Sequence, residues 1–540
     1  MSTTERYSKP LIHPRRVDTI TCHRTRPDSN IEEYLVKWKG QWAPERVPHS
    51  WHTLDELKLC LDQVQAYVEQ QQVTQMHTHQ KAKLTTTFSL IRVGTSGFSL
   101  KRKSPDDHIY RSSPASRSSL SPSISSNSSR ATSGKSVARS RDTKSYNGKP
   151  IVRDGWIEID QSTDMGFAQI DSSILPMYDM LTEAALPHSR VTSAINMIRQ
   201  EFMNRLGQIH SANEDASVTM ANTIDRSSPP LSFKFVNESI LRNGVVKLDA
   251  AAIEGCRRCK PDMGSGIGCQ YTKWCDCLEF ARVDEERLDE ATRPKYQRWL
   301  DSGGSEGSPF DFPKRFPYRI DKRFGQLLNG FYLDSRHPIY ECNDKCRCGP
   351  GCKNRLVQWG RNIPLQIFKT VDRGWGLRCP KDLRKGQFID TYRGEIITDD
   401  EAKQREEQTG PGKDSYLYSL DKFQDDHGLE EKDMFVVDGQ FMGGPSRFIN
   451  HSCQPNLRQY TVSYNKYDVR VYDIAFFACE DIPAYTELTF DYMDKDDDEG
   501  DMDEIPIGSQ GRANPEDEKD GAKPVECRCG AARCRRWLWM

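Results

Sequence analysis

Seventeen cysteines carry the most legible chemistry in this 540-residue chain, and they are unevenly placed. Cys256, Cys259, Cys269, Cys275 and Cys277 fall within GCRRCKPDMGSGIGCQYTKWCDC. Cys342, Cys346, Cys348 and Cys352 follow later, within ECNDKCRCGPGC. Thiolates in such bursts suit zinc, which takes four sulfur ligands in a tetrahedron. Nine sulfurs do not divide into four-ligand sites. They satisfy three zinc ions if three of them each bridge two metals, because six terminal and three doubly counted ligands supply twelve bonds. Iron–sulfur ligation competes, but one cluster needs only four cysteines. A disulfide framework suits an oxidising compartment instead. No open coordination position is evident in the pattern, so the expected role of the metal is structural. Cys453 poses a separate question. It lies in the polar run RFINHSCQPN, with only Cys479 for company between Cys379 and Cys527. Such a thiol could be packing, a nucleophile, or a ligand whose partners come from elsewhere in the chain.

The chain that must position these residues is long enough for two or three domains. Its hydrophobic fraction is 36% and its mean hydropathy −0.74, low for one compact globule, so disordered linker is expected. Net charge is only −2, distributed unevenly in sign. No apolar run approaches the ~18 residues of a membrane span, and MSTTERYSKP lacks the apolar core of a secretion signal. A soluble intracellular protein is the expectation, with clustered cysteines as metal ligands. Residues 15–46 read as two or three antiparallel strands with Lys39-Gly40 at a turn. Over 53–72, Leu54, Leu57, Leu61, Val64 and Val68 recur at helical spacing behind Thr53 as N-cap. Residues 100–150 are serine-rich and basic, either a solvated tether or a segment for nuclear import or weak nucleic-acid contact around Lys101-Arg102-Lys103. Residues 150–235 show helical patches, Ile195–Leu206 the clearest, and no chemistry.

Five plus four cysteines followed by KNRLVQWG resemble the pre-SET domain of histone lysine methyltransferases, and the likeness extends over roughly 235–540. It implies a mixed, mainly β architecture: pre-SET at 236–360, SET at 361–493 with small curled sheets and a pseudoknot, and post-SET at 525–540. DRGWGLRC (372–379) resembles the opening of a SET domain, so Gly374, Trp375 and Gly376 would lie against S-adenosylmethionine. A close backbone approach and an aromatic face suit such a cationic, adenine-bearing ligand. TYRGEIIT implies Tyr392 in the lysine channel, and DSYLYSLD implies Tyr416 at the cofactor. RFINHSCQPN implies Arg447, Asn450 and His451 as cofactor residues, and LTFDY implies Tyr492 as the catalytic tyrosine. Taken alone, the tyrosines would be ordinary half-buried strand residues and His451 a core histidine.

Cys453 then gains partners. ECRCGAARCRRW supplies Cys527, Cys529 and Cys534, three ligands lacking a fourth, and Cys453 on the pseudoknot completes a four-thiolate zinc site. This fourth structural zinc would fold the tail over the active site. There Trp537-Leu538-Trp539 resembles the family's aromatic–Leu–aromatic ending, which walls the cofactor and lysine channel. Cys22, Cys60, Cys379 and Cys479 remain as small apolar residues. The implied reaction is direct methyl transfer to a lysine amine. Phe490 stands where a Tyr goes with monomethylation in the family, so di- and trimethyl products are expected. Between Tyr492 and Cys527, the acidic stretch 494–524 reads as a solvated loop. Alternatively it attracts a basic tail, or presents Lys495, Lys519 or Lys523 to the channel.

Upstream, EYLVKWKGQW with HSWHTLDEL resembles a chromodomain over 8–72, a methyllysine reader built on an aromatic cage. Trp38 is in place and Trp51 fits the structural tryptophan. Arg15 and Gln41 stand where cage aromatics belong, although Trp42 could replace the latter. This organisation is that of the Suppressor-of-variegation class. The resemblance implies histone H3 lysine 9 as substrate, the H3 tail and nucleosome as partners, and nuclear heterochromatin as location. A non-histone lysine substrate and an inactive chromatin-binding scaffold are the alternatives.

Overall fold

The computed structural model describes residues 11–25, 29–40, 49–72, 151–153, 156–158, 191–209, 214–249, 253–256, 269, 283–308, 311–348, 351–409, 416–465, 468–493 and 525–538. The linker 100–150, the insert 494–524 with Lys495, Lys519 and Lys523, and Cys259, Cys275, Cys277, Gln41, Trp42 and Trp539 lie outside the described residues. Contacts divide the chain into two units, Met1–Val191 and Thr192–Met540.

In the first unit, Val17–Thr25, Glu32–Trp38 and His49–Thr53 form an antiparallel sheet in that order, followed by a helix over 61–72. Leu54, Leu57, Leu61, Val64 and Val68 are all buried, so the apolar spacing marks the packed face. The helix nevertheless starts later than the sequence suggests. Thr53 is the end of a strand, paired with Glu33, and its N–H goes to Glu56 Oε2 at 3.3 Å. Sheet pairing has claimed the residue expected to cap. Trp38 is buried and donates to Ser50 Oγ at 2.8 Å. Arg15 is exposed on a 3₁₀ turn, Pro14–Arg16, so a cation stands where the cage would need a ring.

The second unit is mainly β, as expected. A five-stranded sheet runs Asn450–His451, Glu487–Phe490, Trp375–Arg378, Leu365–Lys369, Val218–Ala221. One four-stranded sheet runs Ile339–Tyr340, Leu457–Ser463, Asp473–Ala478, Phe388–Tyr392. Another runs Leu417–Ser419, Phe435–Asp438, Glu395–Thr398, Ile240–Leu241. FIDTY and the apolar end of DIAFFA are buried on both faces, which gives Phe388 and Phe477 to a core that also takes Tyr460, Leu328, Tyr332 and Ile339. Asn450 and His451 run parallel to Thr489 and Phe490, and Ser452 N–H donates to Phe490 O at 3.0 Å. This is the meeting of segments that the pseudoknot requires.

The stretch preceding the first cysteine burst joins two of these sheets, at Val218–Ala221 and Ile240–Leu241, and forms a separate two-stranded sheet with Met442–Gly443. In the helix Thr192–Leu206, Ala194, Ile198, Phe202 and Leu206 are buried at four-residue intervals. Downstream of it, Val218–Ala221, Lys234–Phe235 and Ile240–Leu241 each pair in parallel with a later strand. Each pairing gives a short edge strand the backbone partners it lacks by itself.

Candidate active site and sulfur clusters

A cavity of about 590 Å³ opens where the pseudoknot, the Gly374–Trp375 turn and the tail converge. Its volume is in the range of small-ligand sites. Gly374, Trp375, Tyr392, Tyr416, Arg447, Asn450, His451, Phe490, Tyr492 and Leu538 all line it, although they come from six separate segments. Gly374 adopts φ +69, the left-handed turn that favours glycine. Gly376 and Trp537, also expected at the cofactor, are not among the residues that line this cavity. A Cβ on Gly376 would meet Glu487 Oε1 at 2.8 Å and the Phe368 ring at 3.0 Å, so this glycine makes room inside the sheet. Trp537 forms an isolated bridge with Glu526, which leaves the neighbouring Leu538 to face the cavity.

Polar contacts fix these side chains. The Arg447 guanidinium lies 4.1 Å over the Tyr416 ring and donates to Gly439 O at 2.9 Å and Gln440 O at 3.2 Å. Asn450 Nδ2 donates to Glu487 Oε1 at 2.8 Å and Trp375 O at 3.3 Å. Tyr392 donates its hydroxyl proton to Tyr416 O, and Tyr492 donates its own to Ile449 O, both at 2.8 Å. Burial pushes the Tyr392 hydroxyl well above the usual tyrosine range. Phe490 packs with its ring centre 4.8 Å from those of both Phe476 and Tyr492. Burial lowers the His451 imidazole to about 4. Its Nδ1 accepts from Tyr492 N–H at 3.2 Å, leaving Nε2–H directed at Cys453 Sγ, 3.3 Å away.

The sulfurs fall into four-membered groups. Cys453, Cys527, Cys529 and Cys534 have sulfurs all within 4.8 Å of one another. Zn–S bonds of about 2.3 Å in a tetrahedron set ligand sulfurs roughly 3.8 Å apart, and Cys453 and Cys527 stand 3.8 Å apart. Backbone N–H groups of Arg535 and Arg536 point at Cys453 and Cys534 at 3.4 and 3.3 Å. For Cys529, burial opposes the thiolate but is outweighed by N–H donation from Cys453 and Ala531, which holds it down at about 7. Among the described residues, two further groups draw on the two earlier cysteine bursts: Cys256, Cys342, Cys346 and Cys348, and Cys269, Cys342, Cys348 and Cys352. Cys342 and Cys348 belong to both, where sulfurs shared between two ions would stand. The donor sets therefore fit zinc. By contrast, burial raises Cys22 to about 11 and Cys60 to about 12, as for thiols that stay protonated.

Tyr418 also lines the cavity, as do Arg373, Leu417, Ile449, Val525 and Arg528. Tyr418 was legible in principle, since it stands in the same DSYLYSLD run two residues after Tyr416. Arg373, Leu417, Ile449 and Arg528 sit within motifs already quoted but were not singled out, and Val525 lies just outside the last of them.

Family models match three stretches: a Chromo (chromatin organisation modifier) domain at 15–70, a Pre-SET motif at 210–355 and a SET domain at 374–493. Among curated proteins, the H3 lysine-9 specific histone-lysine N-methyltransferase KMT1 of Fusarium mangiferae is 39% identical over 340 residues, 60% of this chain and 88% of that protein. The H3 lysine-9 specific enzyme dim-5 of Neurospora crassa is 37% identical over 329 residues, with the same coverage of 60% and 88%. A solved structure of the Neurospora SET domain protein DIM-5 aligns at 36% identity and a TM-score of 0.42, covering 52% of this chain and 96% of that one. A site of this composition, the matched Pre-SET and SET stretches and relatives more than 30% identical over 88% of their own length together assign the chain to the family of SET-domain histone-lysine N-methyltransferases.

Proposed function

We propose that this chain methylates lysine 9 of histone H3 to the di- and trimethyl states, in the nucleus at heterochromatin. The observation that carries the reading is the convergence of Tyr392, Tyr492 and Phe490 with Tyr416, Arg447, Asn450 and His451 around one cavity. S-adenosylmethionine, when bound, supplies a methyl group on a positively charged sulfonium. Gly374, Trp375, Tyr416, Arg447, Asn450, His451 and Leu538 would hold it.

The chain's own residues prepare the amine. A free lysine has a pKa near ~10.4 and enters protonated. The walls made by Phe490, Ile449 and the tyrosine rings desolvate it, which with the adjacent positive charge favours the neutral form. Tyr392 and Tyr492 commit their hydroxyl protons to carbonyls, so toward an amine each oxygen acts as an acceptor. Two such acceptors grip the amine N–H groups and aim the lone pair along the transfer axis. The departing proton leaves through water. Phe490 contributes no hydroxyl to hold a water or the amine, which leaves room for added methyl groups.

Four structural zinc ions belong to this reading, three on the nine cysteines Cys256 to Cys352 and one on Cys453, Cys527, Cys529 and Cys534. The ion on Cys453, Cys527, Cys529 and Cys534 would assemble the cavity wall without touching the methyl group. Pre-SET at 236–360, SET at 361–493 and post-SET at 525–540 are the corresponding modules. The H3 tail within the nucleosome is the partner, with weak nucleic-acid contact through the basic 100–150 stretch. The module at 8–72 would bind methyllysine only through an incomplete cage, since Trp38 is buried and Arg15 stands where a ring belongs. The test is transfer of radiolabelled methyl to H3 peptides with lysine 9 intact or replaced, with products read by mass spectrometry. Label on the intact peptide alone, extending past one methyl, is expected. Equal labelling of both peptides, or a product stopped at monomethyl, overturns the assignment.

A further inference from the structure

Asp491 lies between the channel residue Phe490 and the catalytic tyrosine Tyr492, yet its own side chain turns to the tail. Arg535 meets it fork to fork, Nη1 to Oδ2 at 2.8 Å and Nη2 to Oδ1 at 2.5 Å. Exposed ion pairs contribute little, but these side chains are only 20% and 16% exposed, and the contact is bidentate. Arg535 is anchored at both ends: its backbone N–H points at Cys453 Sγ, and its chain neighbour is Cys534. The next residue, Arg536, takes the left-handed conformation at φ 70, which a non-glycine residue adopts at a cost and which needs fastening. That turn returns the chain so that Cys527 N–H donates to Arg536 O at 2.7 Å and Leu538 N–H to Val525 O at 2.8 Å. Val525, Cys527 and Leu538 of this hairpin are cavity wall. At the other end, Asp491 Oδ1 lies 3.5 Å from His451 Nδ1, the atom that receives Tyr492 N–H.

We infer that Arg535 and Asp491 form a latch, a pair of positioning residues that seats the tail hairpin on the cavity and sets the backbone of Tyr492, in addition to the metal. The inference rests on the methyltransferase reading above. Zinc holds the sulfurs together, but it does not dictate how the hairpin leans against Tyr492. The fork does, because two parallel hydrogen bonds fix an angle as well as a distance.

The experiment compares Arg535→Gln, Asp491→Asn and the double variant with wild type in the full zinc-loaded chain. Zinc per chain, melting temperature, direct binding of S-adenosylmethionine, and kcat and KM on an H3 peptide are measured. Each single variant is expected to keep its zinc, to bind S-adenosylmethionine more weakly, and to lose about 10–100-fold in kcat/KM. The double variant should be no worse than the more damaged single, because the second change removes a partner already lost. Arg535→Lys should not rescue, since an ammonium cannot reproduce the fork. Single variants within about twofold of wild type overturn the latch, as do fully multiplicative losses in the double. Zinc loss in both singles overturns it too, because the pair would then serve the metal. A wild-type protein that binds S-adenosylmethionine but labels no H3 peptide would defeat the substrate reading instead, and the binding data would still judge the latch.

Discussion

The two sulfur-rich regions use the same ligand chemistry to different ends. In the pre-SET region the six described cysteines are all at most 8% exposed, and none lines the cavity. In the tetrad of Cys453, Cys527, Cys529 and Cys534, three are half-buried, and Cys527 and Cys529 are themselves cavity wall. In the first region the sulfurs of Cys256, Cys269, Cys342, Cys346, Cys348 and Cys352 pack together as a buried cluster with Phe316 against it, where metal would serve the fold. The second ties one chain end to the pseudoknot beside the reacting groups. Loss of metal should therefore cost stability in one place and activity in the other.

The comparison breaks most visibly at Cys453. Cys453→Ser should lower turnover about 100-fold or more while the melting temperature moves little, as read by methyl transfer and calorimetry. A variant that stays active would place the tail's seating elsewhere. Cys342→Ser should do the reverse in kind. Cys342 belongs to two sulfur groups, so the variant should lose zinc from both and melt well below wild type, with activity falling only as the fold does. Glu341→Gln probes the same region more gently. This buried carboxylate accepts from Tyr318 Oη at 2.6 Å and from the N–H groups of Leu356 and Val357 at 2.8 Å. Removing its charge should cost about 1–3 kcal/mol in denaturant unfolding and leave kcat unchanged. The smallest effect on overall rate belongs to Phe490→Tyr, which should shift products toward monomethyllysine in mass spectra while the first transfer proceeds. An unchanged product spectrum would remove Phe490 from the control of methyl number.

How much of this could be read in advance differs along the chain. Of the nine clustered cysteines, the six described ones do gather into sulfur groups, as ligands close in sequence suggest, while Cys259, Cys275 and Cys277 lie outside the described residues. Cys453 was legible only through likeness, because its partners lie 74 or more positions away and nothing local marks the closure. Motif residues such as Tyr392, Arg447 and Tyr492 came from short, distinctive strings. Gly376 and Trp537 belong to equally distinctive strings, but neighbouring positions in a strand or hairpin face opposite ways, so only part of each motif reaches the cavity. The edge strands at 218–221, 234–235 and 240–241 were invisible, since segments of two to four residues have no periodicity and exist only through partners far downstream. Thr53 was misread for a related reason: the cap signal was real, but pairing with Glu33 outweighed it. The Arg535–Asp491 fork left no trace in either local sequence, because an ion pair is a property of the folded neighbourhood.

The most direct test of the central claim is a chelator titration of the wild-type enzyme that follows released zinc and methyl transfer to an H3 peptide in the same sample. The half-buried tetrad should give up its ion first, so turnover should vanish with the first equivalent released while far-ultraviolet circular dichroism stays unchanged. Turnover that survives the first equivalent, or that declines only in step with loss of secondary structure, would contradict the view that this metal closes the cavity.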